Sequence, residues 1–320
     1  MLPRQMSWTQ YAIKRTLSSV FVLFGASVVI FSIVRLIPGD PAQVLLGDTA
    51  REQQLEVVRR ELGLHRPVWE QYFIWLSDVL TLDLGRSYMN NQLITELLAI
   101  RYPRSLQLAV LTMILATAIG VPLAIWGASN RNTSKDYVAL FFSQFGVSIP
   151  SFFLGVVLIL LFANLIPIFP PSGYHSFFDH PLANFVHLVL PVVTLTVINA
   201  AIITRYLRSE MLENLNSEYV QTARAYGHSE RRIVLKYVAK NALIPTITVI
   251  GIQFGGIIGG VVIIEEVFSY PGIGLLLLDS ILRRDYPVIQ MSLLAIAATF
   301  IVVNLIVDLV YGYLDPRIRH

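Results

Sequence analysis

The sequence predicts an all-α polytopic membrane protein with six transmembrane helices, and three observations carry that prediction. Of 320 residues, 55% are hydrophobic and 14% charged, with a mean hydropathy of +0.62, whereas soluble domains carry about 25% charged residues. Six long, almost uncharged runs have close to or more than the ~20 residues that a helix needs to cross a hydrocarbon layer about 30 Å thick. The basic residues fall mainly on alternate connecting segments. A water-soluble α/β fold would instead bury short apolar strands between amphipathic helices.

Residues 1–15 form a short N-terminal segment that ends in Lys14-Arg15. The first run, Thr16–Val34, is longer than the core of a secretory signal and passes into Arg35-Leu36-Ile37-Pro38 without a small-residue cleavage pattern. It is expected to be a retained span. Residues 35–104 follow as a helical extracytoplasmic loop. There Thr49-Ala50-Arg51-Glu52 has capping-box form, Leu55, Val58 and Leu62 recur at helical spacing, and Gly63 supplies a stop. A second helix is predicted over Val68–Leu80. Its Trp69, Tyr72, Phe73 and Trp75 suit either the lipid headgroups or packing on the outer helix ends. Residues 105–311 are read as a core of five further spans: Ser105–Trp126, Tyr137–Ile166, His187–Thr204, Ala242–Ile264 and Val288–Val310. Residues 312–320 form a tail.

Six spans put both termini on one side. The segments of that side, residues 1–15, 127–136, 205–241 and 311–320, hold 14 of the 24 Lys and Arg against six acids, a balance of +8. Such an excess over short loops marks the cytoplasmic side. The long loop, with eight basic and nine acidic residues, fits less neatly, because length weakens the charge rule. This sorting attributes the net charge of +3 to membrane topology and gives no reason to invoke nucleic acid. The absence of cysteine excludes disulfides and thiolate metal sites.

One cytoplasmic segment, residues 207–240, is too long and too helical for a plain connector. Asn216 or Ser217 is placed to cap a helix through Glu218, Tyr219, Thr222, Ala223, Arg224 and Ala225, Gly227 to take a left-handed conformation behind it, and Ser229 to cap the next helix. Small Ala223 and Ala225 allow close approach of another protein, and Arg224, Arg231, Arg232 and Lys236 offer it charge. A solvated basic loop accounts for the same composition equally well.

The run Glu218-Tyr219-Val220-Gln221-Thr222-Ala223-Arg224-Ala225-Tyr226-Gly227, followed by Asn241-Ala242-Leu243-Ile244-Pro245, resembles the coupling-loop signature of ATP-binding-cassette (ABC) importer permeases in its dipeptide and oligopeptide (peptide/nickel) form, close to the dipeptide and glutathione permeases. Similar landmarks recur in that family in this order: Pro38-Gly39-Asp40-Pro41, Glu61-Leu62-Gly63-Leu64 with Arg66-Pro67, Asp83-Leu84-Gly85, Val267-Phe268-Ser269-Tyr270-Pro271-Gly272-Ile273-Gly274, Arg284-Asp285-Tyr286-Pro287 and Asp315-Pro316-Arg317-Ile318. Gln221-Thr222-Ala223 and Tyr237-Val238-Ala239-Lys240 depart from the general importer signature, as the peptide branch does.

The resemblance implies the type I importer fold in a prokaryotic cytoplasmic (inner) membrane, with both termini cytoplasmic. It implies a second homologous permease as partner in a heterodimer, two cytoplasmic ABC ATPases docked on residues 218–232, and an extracytoplasmic substrate-binding protein. It further implies that ATP and Mg are bound by the partner ATPases and that this chain carries no cofactor of its own, in keeping with the lack of a G-x-x-x-x-G-K-[ST] motif. The chain is accordingly expected to be a non-catalytic subunit.

Elsewhere, Gly251, Gly255 and Gly259 recur every fourth residue of the fifth span and predict a helix-packing face. Gln253, Asn199 and Asn164 are polar candidates for lining the pathway or for hydrogen-bonding between helices. Asn304 and Asp308 lie one turn apart near the cytoplasmic end of the last span, where Asp308 is expected to pair with Arg317 or Arg319. Glu265-Glu266 are expected to face outward. His175, His180 and His187 share one loop with Asp179, but their spacing is not that of a helical metal pair, and no metal site is assigned. Two readings compete with the peptide permease: a nickel-chelate or other small-solute permease of the same kind, and a proton-coupled secondary carrier using Asp308.

The charge balance makes a direct prediction. In intact cells an impermeant thiol reagent should label Ser172→Cys and leave Ser217→Cys silent; the reverse pattern would overturn the topology.

Overall fold

The computed structural model describes residues 7–36, 40–47 and 50–314, all of it helix and turn apart from one isolated bridge between Arg86 and Leu93. Helix α1 (Trp8–Leu36) precedes three short helices, α2 (Pro41–Leu46), α3 (Glu52–Glu61) and α4 (Val68–Leu80). Then come α5 (Ile94–Ser129), α6 (Ser134–Ser148), α7 (Ser151–Ile159) with a π-helical turn (Leu160–Leu165), and α8 (Pro181–Leu215). Helices α9 (Glu218–Ala225) and α10 (Glu230–Arg232) lead through a second π turn (Ile233–Val238) into α11 (Ala239–Gly260). Helices α12 (Val262–Val267), α13 (Ile273–Arg283) and α14 (Tyr286–Leu314) complete the described chain.

Five helices among the described residues are long and apolar enough to cross a membrane, and a bent pair supplies the sixth. The sequence treats Tyr137–Ile166 as one run, but α6 and the helix from Ser151 to Leu165 meet at 98°. Pro150 is the cause. It has no N–H to donate and forces Ile149 into an extended conformation, φ −89° and ψ 127°. Each half has fifteen residues, about 22 Å of helix and short of the ~30 Å hydrocarbon layer.

The core lies between α5, α8 and α11, where Leu108, Ala116, Ala200, Ile203 and Ile258 are fully buried. Small residues bring these helices together: a Cβ added at Gly120 would sit 2.9 Å from the Ala200 carbonyl. Helix α14 packs against α1 and α11. Gly251 lies against Val307 so closely that a Cβ would overlap it, and a Cβ at Gly255 would come within 2.6 Å of Phe300. The third member of the predicted face differs, since a Cβ at Gly259 meets none of the described residues within 4 Å. The α11–α14 contact therefore rests on two glycines.

In the long loop, α4 has the predicted bounds. Tyr72 is buried against α1, its hydroxyl 2.8 Å from Ser27 Oγ and its ring edge-on to Phe24 and Phe31. Trp69 and Phe73 stay exposed, so this helix packs through one face and leaves aromatic surface on the other. The capping box proposed around Thr49 falls partly outside the described residues; Gln54 Oε1 accepts from Arg51 N at 3.1 Å. Gly63 ends α3 at φ +66°, the left-handed stop that glycine adopts without a Cβ penalty.

A leucine at Gly255 is expected to push α14 off α11 at a cost of at least about 1–3 kcal/mol. The yield of assembled complex and the transport rate should both fall, and wild-type values for both would place this face toward lipid.

Candidate functional site

Residues 218–232 fold as two short helices joined by a tight turn. Ser217 holds the N-cap position of α9 in extended conformation, but its hydroxyl donates backward to the Asn214 carbonyl. The turn behind α9 is closed by Gly227 N donating to the Arg224 carbonyl at 2.9 Å and His228 N to the Ala223 carbonyl at 3.2 Å. Gly227 has φ +76° with open space around it. Its left-handed conformation, rather than any close neighbour, is what requires glycine.

Helix α9 is fastened to the membrane-spanning helices by Val220 and Ala223, which pack among Leu207 and Met211 of α8 and Ile233, Val234 and Val238 of the π turn. Ala223 is thus buried within its own chain and unavailable as an outward contact; only Ala225 of the predicted pair is exposed. The Arg224 guanidinium is bound to Glu230 at 2.7 and 3.3 Å, clamping α9 to α10 across the turn. Both ends of the pair respond: hydrogen bonding to Glu230 holds the Arg224 guanidinium up, and the same bond holds the Glu230 carboxyl down. Glu218, Tyr219, Thr222, Arg231 and Arg232 remain exposed. The segment therefore presents charged and aromatic surface on a helix anchored to the C-terminal end of α8 and the N-terminal end of α11.

A residue pair absent from the sequence-based candidates holds this region in place. Asp136, 2% exposed at the start of α6, accepts from Arg208 of α8 at 2.6 and 2.8 Å and from Asn132 N at 3.0 Å. The sequence displays it only as one acid among six in the loops predicted to be cytoplasmic.

The polar candidates of the spans separate. Gln253 donates to Asn199 Oδ1 at 3.2 Å, and Asn199 donates to the Leu195 carbonyl, which ties α11 to α8. Asn164 is exposed in the first π turn and meets neither. Asp308 pairs with Arg15 of α1 at 3.3 Å; the expected partners Arg317 and Arg319 lie outside the described residues. Of the two outward acids, Glu266 is exposed, but Glu265 is completely buried. It accepts from Ser105 Oγ and from Leu275 N at 2.8 Å, while Ile273 N donates to Ser105 Oγ at 2.8 Å. Glu265 and Ser105 together cap α13, satisfying N–H groups that have no partner inside that helix. His175 lies edge-on to His187 and His180, at ring separations of 4.7 and 6.0 Å. Among the described residues no three His, Cys, Asp or Glu side chains are grouped to hold an ion.

The fold defines a polytopic helical membrane component in which two short helices, α9 and α10, stand between the spans α8 and α11. Residues 120–320 match the family described as "Binding-protein-dependent transport system inner membrane component", and residues 8–109 match its N-terminal companion. The chain belongs to this family of multi-pass ABC importer permeases. It is 39% identical to the dipeptide transport system permease protein DppB of Alkalihalophilus pseudofirmus and 42% identical to the probable peptide ABC transporter permease protein y4tP of Sinorhizobium fredii. It is 37% identical to the glutathione transport system permease protein GsiC of Escherichia coli. Each similarity covers 97% of this chain and 99% of the relative.

Removing one side of the Asp136–Arg208 pair leaves the other charge buried, a loss of about 3–5 kcal/mol. Arg208→Gln should lower the thermal unfolding midpoint of the purified protein, and Asp136→Asn with Arg208→Gln should recover part of the loss. Unchanged unfolding of the single variant would show that the pair is dispensable.

Proposed function

We propose that this chain forms half of the translocation pathway for di- or oligopeptides, glutathione-like peptides included, and couples it to ATP hydrolysis in partner subunits. The observation that carries the reading is similarity along nearly the whole chain to permeases named for dipeptide, peptide and glutathione transport. The other half of the pathway comes from a second homologous permease, an extracytoplasmic binding protein delivers the substrate, and two ABC ATPases dock on the cytoplasmic face. Both termini are cytoplasmic in this arrangement, in line with the +8 balance on that side.

Helix α9 is the coupling helix in this reading. Its buried side, Val220 and Ala223, transmits displacement to α8 and α11, and its exposed Glu218, Tyr219, Thr222, Ala225, Arg231 and Arg232 meet the ATPase. Rigid seating is what lets a push from the ATPase become motion of the spanning helices. The carrier alternative is less well supported, because its proton-site residue Asp308 is ion-paired with Arg15 near the cytoplasmic helix ends.

Gly227→Val tests the coupling assignment. A β-branched residue held at φ +76° costs about 1–3 kcal/mol and re-aims α9. The variant should insert normally yet lose ATPase co-purification or binding-protein-stimulated hydrolysis in reconstituted vesicles. Arg231→Ala and Arg232→Ala should act in the same direction but more weakly, as exposed rim charges do. Normal hydrolysis, co-purification and peptide uptake in Gly227→Val would overturn the assignment.

A further inference from the structure

The α3–α4 hairpin roofs a polar crevice over the outer ends of α1 and α14. It consists of an inner chamber of about 190 Å³ and an outer one of about 390 Å³, and Arg35, Tyr88 and Gln290 line both. Arg35 ends α1. Its guanidinium stacks over Phe31 at 5.1 Å and forms no ion pair with any described residue. Gln290 and Tyr286 lie four residues apart on α14 and so share a face. They are 8% and 5% exposed, yet the Gln290 amide and the Tyr286 hydroxyl hydrogen-bond to no described group. In the outer chamber Trp75 Nε1 and Gln71 Oε1 are likewise buried without a partner.

Buried polar groups are satisfied in the great majority of proteins, and a cluster of exceptions points to something that binds there. The inner groups are mostly donors: a guanidinium, two phenols and an amide. Burial pushes the Tyr88 phenol up to about 12, so it stays a neutral donor at physiological pH. The acids Glu61 and Asp78 border only the outer chamber. A planar guanidinium fork beside hydroxyl and amide donors matches carboxylate and phosphate oxygens.

We propose that Arg35, Tyr88, Tyr286 and Gln290 form an extracytoplasmic binding site for an oxyanion group, a carboxylate or a phosphate, beneath the α3–α4 hairpin. The group has two sources, a water-borne solute or the headgroup of an anionic lipid beside α1 and α14. The site does not depend on which substrate the pathway carries.

Trp75 in the outer chamber supplies the test. The full-length chain, purified with its partner subunits, is titrated with inorganic phosphate, with alanyl-alanine and with dihexanoylphosphatidylglycerol while tryptophan emission is followed. A saturable change that disappears in Trp75→Phe is expected. Arg35→Gln should weaken it about tenfold or more, the loss associated with a charge-assisted hydrogen bond. A response to phosphate or the dipeptide supports the site with a water-borne ligand, and a response to the lipid alone supports it with a headgroup ligand. If Arg35→Gln fails to insert, Gln290→Leu should weaken the response about threefold. No saturable response to any of the three probes would overturn the proposal. So would an affinity unchanged in the insertion-competent variant.

Discussion

Backbone in a bilayer must satisfy its own hydrogen bonds, and this chain departs from regular helix at several points on or near its spans. Three buried acids sit at those departures. Asp136 accepts from Asn132 N in the turn between α5 and α6 and binds Arg208. Glu265 caps α13 with Ser105 after the fifth span ends. Asp285 accepts from Ser87 Oγ and from Tyr88 N at 3.0 Å, which fastens the long loop after α1 to the start of α14. Asp136 and Glu265 replace backbone partners that a continuous helix would have provided, and all three acids join elements far apart in sequence.

The family landmarks acquire physical roles in this light. In Tyr270-Pro271-Gly272-Ile273-Gly274, a Cβ at Gly272 would collide with Glu265 and Ser105, and one at Gly274 would lie 2.8 Å from Val262 Cα. The motif lets backbone pass close to a buried carboxylate. Tyr270 is buried with it and donates to the Arg104 carbonyl at 3.1 Å. Arg284 in left-handed conformation, φ +58°, ends α13 and turns Asp285 inward. Asp40 accepts from Ala42 N at the start of α2 and binds Arg59 of α3 at 2.7 Å; Pro38 and Gly39 of that landmark lie outside the described residues. The segments most recognisable in the sequence are largely the ones that manage helix breaks.

The α9–α10 segment uses the same economy. Helix α9 has only eight residues, too few to be stable alone in water. Its conformation comes from a left-handed glycine stop, the Arg224–Glu230 bridge and two apolar side chains inserted between α8 and the π turn. A helix held in this way moves with its supports, which is the property that the coupling proposal requires.

Membrane location, five single-helix spans, the bounds of α4 and the conformation of Gly227 were legible because each follows from local composition, helical spacing or one residue's backbone preference. The α9–α10 segment was recognisable as a motif, and the candidate residues named in it from sequence are exposed apart from Ala223. Which of its faces points inward could not be told from sequence, and Ala223 was read as outward although it is buried. The bend at Pro150 was available in principle from the proline, but a continuous apolar run concealed it. Asp136, Glu265, Asp285 and the Arg15–Asp308 pair could be placed only by tertiary structure, because a charged side chain in a loop looks alike in sequence whether it faces water or a buried partner. Hydropathy determines how much of the chain enters the bilayer; long-range contacts decide which polar groups enter with it, since their partners lie 72 to 198 residues away for Asp136–Arg208, Ser105–Glu265 and Ser87–Asp285 and no local pattern encodes that pairing.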